Sequence, residues 1–204
     1  MAKGYWISSY QSIGNPDALA AYAKLAAPAI LGAGGRFVVR GSALKTYEAG
    51  KMMRTVVVEF DSVAKAIEVH DGAAYQEALR VLGDGAVRDF RIAEGMADSP
   101  GAACDGKPHG YMVNTYRAVM KQDALDAYAR LAGPAMAAAG ARFLIRGMPA
   151  KAYESGMMQR TVVVEFPSVQ AVIDGYEGTA YAKALAALGE GAAVRDMRVV
   201  EGAV

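Results

Sequence analysis

Cysteine occurs once in the 204 residues, at Cys104, so the chain cannot close a disulfide on itself. That usage fits a reducing compartment. Histidine occurs twice, at His70 and His109. One cysteine and two histidines are too few for a Cys/His zinc site. Long apolar runs are missing too: the Ala-rich stretches are interrupted by Lys, Arg, Pro or Gly, so none reads as a membrane span. The opening Met1-Ala2-Lys3-Gly4-Tyr5-Trp6 lacks the apolar run of a signal peptide. A cytoplasmic location is therefore expected. Excess charge is also lacking, with 22 basic against 21 acidic residues and a net charge of +1. That balance leaves no basic footprint for nucleic acid or an anionic membrane. No nucleic-acid partner, membrane partner, metal or tightly bound cofactor is expected.

What the sequence does contain is itself, twice. Tyr5 matches Tyr111, Tyr22 matches Tyr128, Pro28 matches Pro134 and Tyr75 matches Tyr181, at a constant offset of 106 residues. The run Arg54-Thr55-Val56-Val57-Val58-Glu59-Phe60 returns unchanged as Arg160 to Phe166. One residue is inserted in the second copy before Arg195, which matches Arg88. Two long repeats mean domain duplication, since solenoids need three or more short ones. The expected division is copy one over 1–96, a Gly- and Pro-rich exposed linker over 97–108, and copy two over 109–204.

Within one copy, Tyr5 to Tyr10 is aromatic and β-branched and reads as a strand. Asn15-Pro16 starts a helix, with Asn15 as N-cap and Pro16 in the first turn. Leu19, Tyr22, Ala23, Ala26 and Ile30 then recur at helical spacing, and Gly32-Ala33-Gly34-Gly35 ends the run. That glycine cluster follows a helix, the reverse of the order a phosphate-binding fingerprint requires. Arg36 to Arg40 is a second strand. A hairpin through Tyr47-Glu48-Ala49-Gly50 leads to a third, Arg54 to Phe60. Ser62 caps a helix, a further helical piece spans about 73–82, and Val87 to Glu94 is the last strand. The fold class is α+β, and each copy has the order β-α-β-β-α-β of a ferredoxin-like unit.

Strand alternation assigns the faces. Phe37 with Val39, Val56 with Val58 and Phe60, and Phe90 with Ile92 are expected beneath the helices. Arg36, Val38 and Arg40, Thr55, Val57 and Glu59, and Asp89 and Arg91 share the other face. With a twin sheet tethered alongside, the two copies are expected to pack sheet to sheet. The result would be an internal pseudo-dimer, open to further pairing of whole chains.

The strand order, the Arg-Thr-Val-Val-Val-Glu-Phe run, the Tyr75 segment and the closing Glu94-Gly95 resemble the bacterial domain of unknown function 1330, within the dimeric α+β barrel superfamily. The likeness covers nearly all of both copies and leaves out the linker. It implies a fused version of a sheet-to-sheet dimer. The superfamily includes cofactor-free monooxygenases, muconolactone-type isomerases and heme-dependent enzymes. It supplies no catalytic residue set to carry over.

Candidate residues follow from chemistry. Arg40, Glu59 and Arg91, with their copies Arg146, Glu165 and Arg198, could converge between the sheets on a small carboxylate. A structural ion-pair network is the competing and favoured reading. Arg54 and Arg160, at strand starts, are expected in solvent. His70 is the one histidine inside a domain and the only candidate base or heme ligand, but Tyr176 stands at its place in copy two. Tyr22, Tyr47 and Tyr75, with their copies Tyr128, Tyr153 and Tyr181, could donate hydrogen bonds in a pocket or be packed aromatics. Tyr47-Glu48 could close over a pocket mouth. The expected function is the binding or transformation of a small anionic or aromatic metabolite. The alternative is a non-catalytic binding or oligomerisation module. Whether the chain is an enzyme stays open.

Overall fold

The structure is a computed structural model describing residues 2–203. Its elements run β1 (Gly4–Ile13), α1 (Pro16–Gly32), β2 (Arg36–Ser42), β3 (Lys45–Glu48), β4 (Arg54–Phe60), α2 (Val63–Asp71), α3 (Ala73–Leu82) and β5 (Ala86–Glu94). The second copy repeats them as β6 (Gly110–Val119), α4 (Gln122–Ala138), β7 (Arg142–Gly147), β8 (Lys151–Glu154), β9 (Thr161–Phe166), α5 (Val169–Glu177), α6 (Thr179–Leu188) and β10 (Ala193–Glu201). No helix of the described residues is long and apolar enough to cross a membrane.

The expected caps form. The Asn15 side chain accepts from the amides of Asp17 and Ala18, and Ser62 accepts from Lys65. A good N-cap contributes about 1 kcal/mol. The second copy has Lys121 at the position of Asn15 and no side-chain cap there.

Two five-stranded antiparallel sheets result, ordered β2-β4-β1-β5-β8 and β3-β10-β6-β9-β7. Each sheet therefore ends in a strand from the other copy. The stretch expected to fold back as a local hairpin instead crosses over. Tyr47 pairs with Met197, and Tyr153 pairs with Phe90. Gly50 and Gly156 fix this crossing closely, because a Cβ at either would lie 2.2 Å from the carbonyl oxygen of Met197 or Phe90. Just before them, Glu48 and Glu154 both take φ 54°, the left-handed region that costs a non-glycine residue about 1 kcal/mol. Something must hold them there, and that something is described with the site.

The cores form three layers. Trp6, Val58, Phe60, Phe90 and Ile92 of the first sheet pack against Tyr22, Ala26, Ile30, Ala66 and Tyr75 of its helices. Met112, Val164, Phe166 and Met197 do the same in the second. Between the sheets, Tyr5, Ile7, Val38, Val39, Val57 and their counterparts fill the space.

Val39 is thus not under the helices as alternation requires. Register slips between Phe37 and Val39, and again between Phe143 and Ile145. A bulge adds one residue and reverses the phase of everything after it. Phe37 points to the helices, Val38 and Val39 both to the neighbouring sheet, and Arg40 returns to the helix side.

The linker also departs from expectation. Gly101 and Ala102 are buried. The amide of Ala102 donates to Glu59 Oε2 (2.7 Å) and that of Ala103 to Glu165 Oε1 (2.8 Å). The two carboxylates lie within the folded molecule and need donors, so the strap is drawn inward to supply them.

Candidate functional site

Each copy leaves one recess between its long helix and its sheet. The first is walled by Trp6, Phe37, Phe90, Tyr22, Ala26 and Ile30. Its inner slot measures about 40 Å³, room for roughly two or three waters. Counted out to open solvent, the space along its walls comes to about 470 Å³. The second recess has the same slot and about 440 Å³ in all, with Met112 where the first has Trp6 and Asn114 where the first has Ser8.

The polar inner end is assembled across the two copies. Arg88 is 1% exposed on β5. Its Nη1 donates to the Tyr22 hydroxyl at 2.8 Å, and that hydroxyl lies 2.7 Å from the Tyr75 hydroxyl. Its other nitrogens grip Glu154 of the second copy, at 2.8 Å for Nε to Oε2, with a second contact from Nη2 to Oε1. Burial works against the Arg88 charge, but Tyr22, Tyr75 and Glu154 hold it firmly protonated. Burial pushes the Tyr75 phenol well above its usual range, so it stays a neutral hydroxyl. In the second copy Arg195 grips Glu48, and Tyr128 bonds Tyr181. These bidentate grips hold Glu48 and Glu154 in their left-handed backbone. The Ser8 Oγ and Asn114 Oδ1 atoms, in residues 4% exposed, have no hydrogen-bond partner among the described residues. Both line the recesses.

Arginines flank the mouth. Arg40 lies over the Phe37 ring, 4.6 Å from its centroid, and Arg146 over Phe143 at 5.1 Å. Arg54 and Arg160 stand beside them, half-buried rather than in solvent as expected. None of the four makes an ion pair among the described residues; the ion-paired arginines are Arg36, Arg80, Arg88, Arg91, Arg117, Arg142, Arg195 and Arg198.

The expected set of Arg40, Glu59 and Arg91 does not converge. The bulge sends Arg40 and Arg146 to the helix side. Glu59 accepts from Tyr5, Arg36 and Ala102, and Glu165 from Tyr111, Arg142 and Ala103. Arg91 and Arg198 sit between the sheets at 0% exposure. Arg91 pairs with Asp89 at 2.7 Å and donates to the carbonyls of Tyr116 and Gln159 in the other copy. Arg198 pairs with Asp196 and donates to the carbonyls of Tyr10 and Arg54. Arg91 and Arg198, each paired with its aspartate, hold the sheets together.

Tyr75 and Tyr181 line the recesses, while Tyr47 and Tyr153 lie on the exchanged strands. Tyr153 stacks on His70 at 3.5 Å, and Tyr47 on Tyr176 at 3.8 Å. His70 borders a separate open groove with Asp71, Gln76 and Tyr153. Its Nδ1 is 2.9 Å from Asp71 Oδ1. That hydrogen bond, with those of Lys151 and Tyr153, lowers the Asp71 carboxyl to about 2. Burial lowers the His70 pKa below 6.5, although Asp71 opposes it. On acidification through 6.5 the unfolded chain therefore takes up the proton before the folded one, and stability falls. His70→Tyr, which installs the second copy's residue, should remove that loss. Between pH 7 and 5.5 the wild-type melting temperature should drop measurably further than the variant's. Equal drops would mean that His70 is not held neutral by its packing.

Arg88 and Arg195 escaped the sequence reading. Their signal was a cation in phase with Phe90 and Ile92 on an otherwise apolar strand face.

The family model described as domain of unknown function (DUF1330) matches residues 3–96 and 109–203. The chain belongs to that family, as two tandem copies. Among solved structures it is similar to an anthrone oxidase-like protein at 12% identity, covering 100% of this chain and 92% of that one with a TM-score of 0.56. A candidate monooxygenase from Lactobacillus acidophilus NCFM is 12% identical, with coverages of 98% and 93% and a TM-score of 0.50. A chlorite dismutase variant from Candidatus Nitrospira defluvii is 6% identical, with coverages of 99% and 92% and a TM-score of 0.51. At these identities the likeness is one of fold: two ferredoxin-like halves in a dimeric α+β barrel. No curated protein matches the sequence.

Proposed function

We propose that the protein binds small amphipathic anions, such as aromatic carboxylates, one in each helix–sheet recess. The observation that carries this reading is the pair of arginines without ion-pair partners at the mouth of an aromatic-walled recess, present in both copies. An unpaired guanidinium matches a carboxylate geometrically, and an aromatic wall suits a ring. At about 40 Å³ the slot is too narrow for a ring as it stands. A ring can enter by taking the place of the Arg40 guanidinium, which then turns to the ligand's anion. The sheet-to-sheet space is packed with apolar side chains. No nucleophile and base meet in the recess among the described residues, which favours binding over catalysis.

Trp6 is the sole tryptophan and walls only the first recess. Titration with 2-naphthoate should quench its fluorescence saturably. In Arg40→Ala/Arg54→Ala the midpoint should rise at least tenfold, about the effect of losing one charge-assisted hydrogen bond of 1.5–3 kcal/mol. An unchanged midpoint would refute the role of the arginines.

A further inference from the structure

The hydroxyl pair at the inner end of the recess has one proton too many. Tyr22 and Tyr75 each carry one hydroxyl proton. The Tyr22 oxygen already accepts from Arg88 Nη1. Across the 2.7 Å contact between the hydroxyls only one proton can lie. Whichever way that bond points, the other proton has no acceptor among the described residues. Tyr75 is 1% exposed, and the recess it lines also holds the unpartnered Ser8 Oγ. Water can take that proton in the empty recess, but a ligand that displaces the water without supplying an acceptor leaves the donor unsatisfied, at a cost of about 1–3 kcal/mol. Arg88 donates and does not accept, so it sets the direction: it fills Tyr22 and pushes the spare proton toward Tyr75. Glu154, reaching over from the other copy, holds Arg88 in place.

We infer that the ligand of the first recess carries an acceptor oxygen, a carbonyl or an equivalent, at the end opposite its anion. That oxygen takes the spare phenolic proton and a second hydrogen bond from the Ser8 hydroxyl. The ligand class is then an oxo-substituted aromatic carboxylate, anion outward and carbonyl inward. This inference rests on the binding reading above and adds the inner requirement to it. The second recess has its own spare proton between Tyr128 and Tyr181, but Asn114 replaces Ser8. Asn114, longer than serine, presents its unpartnered Oδ1 there.

The test compares 4-acetylbenzoate with 4-isopropylbenzoate, which have closely similar shape but differ in the inner oxygen. Trp6 quenching reports the first recess alone. The expected result is about tenfold tighter binding of the ketone to the wild-type chain. Tyr75→Phe should reduce that preference several-fold, since it removes the hydroxyl that donates to the inner oxygen. Ser8→Ala should halve the preference or better. Because the wild-type comparison needs no variant, a Tyr75→Phe chain that fails to fold does not block the test. Equal binding of the two compounds would overturn this inference and leave the anion-binding reading standing. Absence of saturable quenching by either would overturn both.

Discussion

Asp89→Asn should lower the melting temperature by about 10 °C. The pair it breaks is completely buried: Asp89 and Arg91 are both at 0% exposure. Two charge-assisted bonds of 2.7 Å join them, and Arg91 spends its remaining donors on the other copy. Asparagine keeps one acceptor and turns an NH₂ group against the guanidinium. Removing one partner of a buried pair costs about 3–5 kcal/mol, because the surviving charge has no water to turn to. At this chain length that cost corresponds to roughly 2–4 °C per kcal/mol. Asp196→Asn should do the same in the pseudo-symmetric position. Asp61→Asn serves as the control, since the Asp61 side chain is 89% exposed, and it should leave the midpoint unchanged. Calorimetric melting of the three variants checks this. A loss no larger for Asp89 than for Asp61 would refute the clasp between the sheets.

The second large effect concerns the exchanged strands. A chain truncated to residues 1–96 should form a homodimer. Alone it lacks β8, so β5 presents an unpaired edge, and its own β3 lacks β10. The repeat makes each missing partner available from a second copy. Asp89 faces Glu154, and Asp196 faces Glu48 in the same register. Glu48 of one truncated chain can therefore grip Arg88 of another. Each such pairing also restores the contact on His70, with Tyr47 in the place of Tyr153. An unpaired edge of this kind seeks a strand. Light scattering should give twice the mass of the fragment. A stable, well-folded monomer would contradict the reciprocal exchange.

Much of this was readable in the residues. The duplication, the caps at Asn15 and Ser62, and the helix faces of Val58, Phe60, Phe90 and Ile92 follow from periodicity alone. Three features did not. The bulge after Phe37 was hidden because Phe37, Val38 and Val39 are all apolar, so no change of pattern marks the slip, yet it moves Arg40 from one side of the sheet to the other. The strand exchange was hidden because a turn sequence such as Tyr47-Glu48-Ala49-Gly50 does not say which strand it will join. In a duplicated chain the neighbour and the twin offer equivalent edges. The burial of Ala102 was hidden because the linker is drawn in by Glu59 and Glu165, residues far from it in sequence. The candidate site suffered most. Its arginine–tyrosine relay joins residues from β5, α1, α3 and the other copy's β8; the duplicated tyrosines stand out in the sequence, whereas Arg88 and Arg195 do not.

The most direct test of the recess as a binding site is diffraction from crystals grown with 4-iodobenzoate, using the anomalous signal of iodine to locate the ring. The account predicts iodine peaks between helix and sheet in both copies. In the first copy the iodine should lie toward Tyr75, with the carboxylate toward Arg40 and Arg54 and the Arg40 guanidinium moved off Phe37. Iodine confined to the outer surface, with Arg40 still over Phe37, would contradict it.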